Sequence, residues 1–233
     1  KGFYNLKPFV NGVLRTIARE IGDLELPSRE ENEVRYLSVK YSMPEYLVEK
    51  WKAAYGVKTT EKILEDFLTE RPITVRCRTH KASLREIVTS LKSQGVTVEQ
   101  APYLPYALKI SDYNHILTLE TFLQGKILVQ DVSSMLVAEA ASPKKGDHII
   151  DMCAAPGGKS IHAADKMGDY GNVDARDVSQ YKADLIKENI HRTGVINVEA
   201  RVQDATVYDP DSEQAADIVI ADVPCSGYGV IGK

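Results

Sequence analysis

The chain has 233 residues, of which 43% are hydrophobic and 27% charged, the proportions of an ordinary globular protein with enough chain for one large domain or two modest ones. It holds no run of about 18 apolar residues and no signal-peptide pattern at its start, so a membrane span is excluded and a cytoplasmic location expected. Cysteines at 77, 153 and 225 are odd in number and far apart, which excludes a disulfide framework and a Cys-x-x-Cys metal pair; no metal is expected.

The net charge of −4 is unevenly spread. Arg71, Arg76, Arg78, Lys81, Arg85 and Lys92 face only Glu86 in their stretch, a local +5, whereas Asp165–Lys233 carries a local −6. The first stretch permits a polyanionic partner and the second a cationic small ligand.

In chain order, Val10, Val13, Leu14, Ile17, Ala18 and Ile21 fall at helical spacing, an amphipathic helix stopped by Gly22. No helix nearby accounts for so wide an apolar face, so residues 1–24 read as the end of a helical domain. Asp23–Asn32 is a linker. Two helices follow, one around Leu47, Val48 and Trp51 and one around Ile63, Leu64, Phe67 and Leu68, the second ended by Arg71-Pro72.

Ile73, Val75 and Cys77 alternate with polar residues as in a half-buried strand, with Cys77 in the core. Ser83 and Glu86 form a capping box for a helix carrying Leu84, Ile87, Val88 and Leu91. Val96–Glu99, Tyr106–Ile110 and His115–Leu119 read as strands. Residues 25–125 thus hold linker helices and a small β-α-β-β-β module, an α+β unit resembling an RNA-recognition sheet, with Tyr103, Tyr106 and Tyr113 as candidate base-stacking rings or packing residues.

From Gln130 the texture changes to strand-helix alternation, the mark of a parallel, doubly wound sheet, and residues 126–233 are read as its domain. Strands are expected around Ile149, Ile150 and Met152, and at Gly171–Arg176, Asn197–Val202 and Asp217–Asp222. The last is so apolar that it should be buried on both faces. A sheet ending there would expose that edge, so further strands are expected beyond Lys233 and the sheet is read as incomplete at its C-terminus.

Chemistry gathers at the carboxyl ends of these strands, where open α/β sheets bind ligands. The first strand runs into Cys153-Ala154-Ala155-Pro156-Gly157-Gly158-Lys159, a glycine turn handing over to a helix whose N-terminus offers free N–H groups. A phosphate-cradling loop is excluded, because the glycine it needs five residues before Gly158 is Cys153, and a Gly-x-Gly-x-x-Gly fingerprint is absent. The later strands deliver Asp177, Asp204 and Asp222-Val-Pro-Cys225. A carboxylate-rich pocket suits S-adenosyl-L-methionine: a ribose diol, an adenine amine and a sulfonium each favour an acceptor or a negative charge. A thiol beside a methyl donor suits pyrimidine chemistry, since carbon 5 becomes nucleophilic once a thiolate adds to carbon 6, with Asp222 placed to assist at N3.

Gln130-Asp-Val-Ser-Ser134, Asp151-Met-Cys-Ala-Ala-Pro-Gly-Gly-Lys-Ser160, Asp177, Asp204 and Asp222–Ile231 resemble the RNA 5-methylcytosine methyltransferases of the RsmB/Sun/Fmu and Nop2 superfamily. Phe9–Arg15 is similar to the last helix of the NusB-like RNA-binding domain that precedes the enzyme in part of that family. The resemblance implies a Rossmann-like methyltransferase fold over residues 126–233. It further implies a cofactor site made by Cys153–Lys159, Asp177, Asp204 and Asp222, and a monomeric enzyme acting on a single-stranded or loop cytosine of 16S ribosomal RNA. It alters the role expected of Cys225: in this family the Pro-Cys cysteine assists product release, and the nucleophile is a second cysteine on the next strand, expected beyond Lys233. Alternatives are methylation of another RNA, such as transfer RNA, and a non-catalytic RNA-binding ribosome assembly factor.

Overall fold

The computed structural model describes residues 6–23, 25–69, 72–168 and 170–227; Arg71 of the basic stretch and residues 228–231 of the last motif lie outside these. The chain divides into two compact units, residues 1–70 with 228–233, and residues 71–227.

The described part of the first unit is helical. Helix α1 (Lys7–Glu20) is present as expected and buries none of its residues, leaving Phe9 and Leu14 well exposed. Helix α2 (Glu33–Lys40) has no counterpart in the sequence reading: Leu37 is its one buried residue, with Val34 and Tyr36 packed beside it, and Asn32 starts it by accepting from the Arg35 N–H. Helices α3 (Glu45–Tyr55) and α4 (Val57–Phe67) complete a core of Leu37, Tyr41, Met43, Leu47, Val48 and Leu64, edged by Trp51 against Phe67.

The second unit opens with β1 (Ile73–Cys77), α5 (Leu84–Ser93), β2 (Thr97–Gln100), β3 (Ala107–Ser111), α6 (Glu120–Leu123) and β4 (Ile127–Val129). The four strands form an antiparallel sheet in the order β2-β3-β1-β4, so the module is β-α-β-β-α-β and ferredoxin-like. Both halves of the Ser83–Glu86 capping box are formed. Alternation on β1 sends Val75 and Cys77 into a core with Ile87, Leu91, Leu108, Ile110 and Ile127, and burial pushes the Cys77 thiol up to about 12.

Two expectations are corrected here. His115–Leu119 is not a strand: the His115 ring accepts from the Leu117 N–H, and that local bond turns Ile116–Thr118 into a 3₁₀ turn leading to α6. The fourth strand is instead β4, which pairs with β1, so the first sheet continues past residue 125.

Helix α7 (Val132–Ala141) leads to the second sheet: β5 (His148–Asp151), α8 (Gly158–Met167), β6 (Asn172–Asp177), α9 (Gln180–Thr193), β7 (Val198–Val202) and β8 (Ile218–Ile220). All pairings are parallel, in the order β7-β6-β5-β8. The chain steps outward from β5 to β7 and then crosses back to β8, which places a topological switch point between β5 and β8. Ile149, Val173, Ala175 and Ile220 pack against Ala163, Ala164, Met167 and Ile186 of the helices. Of the last strand, expected to be covered on both faces, Ile220 is buried in this chain and Val219 is 56% exposed.

The two sheets are locked together by the stretch that sequence charge marks for a polyanion. Arg76 and Arg78 are buried and share one carboxylate, Asp165 on α8, at 2.7 and 2.6 Å. Arg78 also donates to the carbonyls of Gly125 and Thr193, and Arg192 of α9 donates to those of Phe122 and Ile127 while lying over the Phe122 ring. Gly125 approaches α9 so closely that a Cβ there would stand 2.5 Å from the Arg192 carbonyl oxygen. The face of the first sheet opposite its own helices meets α7: Ala101, Leu104 and Ala107 cluster with Met135, and the Tyr106 hydroxyl bonds Glu139. Arg76 and Arg78 are therefore committed inside the protein, whereas Lys81, Arg85 and Lys92 stay exposed.

Candidate active site

The turn after β5 is shaped by short backbone bonds: Ala154 donates to the Arg176 carbonyl at 2.8 Å and Gly157 to the Ala154 carbonyl at 2.6 Å. Ala154 is buried, and the Ala155–Pro156 peptide is cis, with the exposed Pro156 offering its carbonyl to the Asn189 amide. Gly157 has φ +99°, a conformation side chains rarely adopt, and a Cβ there would press on Ile186 at 3.3 Å. Gly158 opens α8 with the Gln130 side chain against it.

Asp177 ends β6 and comes back to this turn. Its carboxylate accepts from the Ala155 N–H at 3.1 Å, the Val178 N–H at 2.8 Å and the Lys182 ammonium at 3.0 Å. Burial alone would raise its pKa; the Lys182 contact and the two backbone bonds outweigh burial and hold it below the usual carboxylate range. Across the switch point, Lys159 on the first turn of α8 pairs with Asp222 just past β8. Cys153 is half-buried between these groups. Burial, with Asp177 and Asp151 nearby, raises its pKa, which keeps it a neutral thiol and a poor nucleophile at neutral pH.

Asp204 follows β7, is exposed, and accepts from the Thr206 N–H and hydroxyl; those bonds lower its pKa. It lines a cavity of about 240 Å³ with Met152, Arg176, Val207, Tyr208 and Val219. Cys225 is exposed, its Sγ accepting from the Gly227 N–H at 3.5 Å. Hydrogen bonds thus bring together Ala155 with Asp177, and Lys159 with Asp222, while Asp204 and Cys225 hold their own loops. Among the described residues no group of three or more His, Cys, Asp or Glu is placed to hold a metal ion, and no helix is long and apolar enough to cross a membrane.

Sequence reasoning leaves Asp151 out of the site. It is 1% exposed at the end of β5, and one oxygen accepts from the Ser160 hydroxyl at 2.7 Å. Burial pushes its pKa up to about 6, against opposing contributions from Ser160 and Lys159. Its position at the strand end, ahead of the glycine turn, is the one signal the sequence carries. Gln130 and Lys182 are also missed, since their roles depend on contacts with Gly158 and Asp177.

Two models of a single family match the chain: "16S rRNA methyltransferase RsmB/F" over residues 138–233, and the ferredoxin-like domain of RsmF/B-like methyltransferases over residues 43–116. The chain belongs to the RsmB/F methyltransferase family. A Bacillus subtilis relative, "probable ribosomal RNA small subunit methyltransferase B", is 38% identical over 100% of this chain and 52% of its own length. The human "28S rRNA (cytosine(4447)-C(5))-methyltransferase" is 31% identical over 84% of the chain and 24% of its own. The crystal structure of PH0851 superposes with a TM-score of 0.81 at 32% identity, covering 97% of this chain and 51% of that one. The chain spans about half the length of the bacterial relative and of this structural neighbour. The second sheet is the Rossmann-like sheet of S-adenosylmethionine-dependent methyltransferases, and the ferredoxin-like module is the family's own.

Proposed function

We propose that this RsmB/F family member transfers a methyl group from S-adenosylmethionine to carbon 5 of a cytosine in 16S ribosomal RNA. The observation that carries the reading is that the Cys153–Lys159 turn is met by Asp177 from the end of β6 and by Asp222 from beyond β8, with Asp204 beside the cavity at the end of β7. The donor set fits the cofactor. Asp177 is ionised and its Lys182 partner is partly exposed, so a ribose diol can take that partner's place. Asp204 offers an exposed acceptor for an adenine amine. Asp222 brings negative charge toward a sulfonium, with Lys159 holding it in position.

When bound, S-adenosylmethionine supplies the electrophilic methyl group. On the RNA side a cysteine thiolate adds to carbon 6, carbon 5 takes the methyl group, the carbon 5 proton leaves to a base, and the carbon–sulfur bond breaks to return the thiolate. Cys153, held neutral, serves as a wall of the cofactor site. Cys225, exposed just beyond Asp222, serves the release step.

Calorimetric titration of the full-length protein with S-adenosylmethionine tests the cofactor site, and tritium-methyl transfer to 16S ribosomal RNA and to transfer RNA tests the substrate. Binding with label confined to 16S cytosines is the expected result. Label in transfer RNA would reassign the substrate, and no binding at all would leave an RNA-binding assembly factor. The release role predicts that Cys225→Ala accumulates a covalent RNA–protein adduct; loss of activity with no adduct would make Cys225 the nucleophile.

A further inference from the structure

The ferredoxin-like module presents one aromatic ring in a way its own packing does not require. Tyr103 lies in the Ala101–Tyr106 connection between β2 and β3, at φ +70° and 86% exposed. The Leu104 N–H donates to the Pro102 carbonyl at 2.9 Å, which makes Tyr103 the central residue of a γ-turn of the rare positive-φ form. That conformation is costly for a residue with a Cβ, and it persists because the loop around it is over-determined. The Gln100 side-chain amide donates to three carbonyls, those of Ala101, Leu104 and Ala107, at 2.8–3.0 Å. Ala101 and Leu104, on either side of the ring, are buried against Met135 of α7.

Several groups by which this module would hold RNA are already engaged, while Lys81, Arg85 and Lys92 remain exposed for phosphate contacts. Arg76 and Arg78 are spent on Asp165, Tyr106 bonds Glu139, and Tyr113 packs against the module core. Tyr103 is the most exposed aromatic side chain among the described residues of the module. Its loop buries its aliphatic side chains and offers a single flat ring between two prolines. A nucleobase needs one such face, whereas a stable protein partner needs several hundred Å². A backbone fixed before binding also loses little conformational freedom on contact.

We propose that Tyr103 is a preorganised stacking platform for an unpaired base of the RNA substrate. The proposal rests on the RNA methyltransferase reading above and assigns the ferredoxin-like module a direct contact with the substrate through its β2–β3 loop.

The test uses the full-length protein and its Tyr103→Gly and Tyr103→Trp variants. Binding is measured by anisotropy with a labelled single-stranded, cytosine-containing oligoribonucleotide, alongside the KM for 16S ribosomal RNA and the calorimetric Kd for S-adenosylmethionine. Tyr103→Gly should raise the RNA Kd and KM roughly tenfold, with cofactor affinity unchanged. Its Tm should hold or rise, because glycine relieves the positive φ. Tyr103→Trp should bind as well as the parent or better. An unchanged RNA Kd in Tyr103→Gly overturns the proposal, as does a Tyr103→Trp loss equal to that of glycine. A parent protein that neither binds RNA nor transfers methyl groups would overturn the function itself, and the stacking role with it.

Discussion

Lys159 and Asp222 meet at 2.5 Å across the switch point, tying the first turn of α8 to the chain just beyond β8. Their side chains are 20% and 58% exposed, and so accessible an ion pair contributes about 0–1 kcal/mol to folding. Lys159→Met and Asp222→Asn should therefore leave urea midpoints almost unchanged. In the proposed reaction Asp222→Asn should lower methyl transfer on the order of 10²-fold. Parallel unfolding curves and tritium-methyl assays check both halves.

Asp165 is the carboxylate shared by two buried guanidiniums, so Asp165→Asn should cost about 3–5 kcal/mol by leaving buried charge uncompensated. Burial would raise its pKa, but Arg78 and Arg76 hold it below the ordinary carboxylate value. A depressed folded-state pKa means this stabilisation is complete above about pH 4 and is lost as pH falls through the folded value. Urea titrations from pH 2 to 6 should show an acid-side loss in the parent that is much reduced in Asp165→Asn.

Asp151 has the opposite sign. Its pKa, pushed up by burial to about 6, lies above its unfolded value, so the protonated form favours the fold. Stability from this group is fully present below about pH 4 and lost as pH rises through 6, on the order of 2–3 kcal/mol in all. Asp151→Asn keeps a neutral acceptor for Ser160 and should flatten the profile between pH 4 and 7. An unchanged slope in urea titrations of the variant would show that another group titrates there.

Gly125→Ala should be among the most damaging single-methyl changes. The new Cβ would meet the Arg192 carbonyl oxygen at 2.5 Å and the Thr193 Cα at 2.6 Å, both backbone, at φ +64°. Overpacking and the left-handed conformation together should cost about 3–4 kcal/mol, read as a lowered urea midpoint or as loss of soluble protein.

The parallel sheet is readable from sequence because its signals are local: apolar strands alternate with helices, and Pro156-Gly157-Gly158 marks the turn. The strand-end carboxylates are readable for the same reason, since topology sends every such end to one edge. Helix α2 escapes notice because eight residues hold only about two turns of apolar spacing, and β4 because a three-residue strand makes no alternation. Charge along β1 reveals sign but not destination, since Asp165 lies 89 residues from Arg76 and 87 from Arg78. Asp151 is written plainly before the turn, yet its raised pKa comes from burial, a property of the assembled sheet.

The shared use of Asp165 also bears on how this family can be recombined. A cassette exchange that imports the ferredoxin-like module from a relative brings in one side of a lock whose other side stays on α8. Unless the donor's arginines and the host's carboxylate correspond, the chimera leaves a guanidinium with no countercharge. The workable crossover in a shuffled library therefore keeps β1 and α8 from one parent, even where the cut between the two sheets looks clean in sequence.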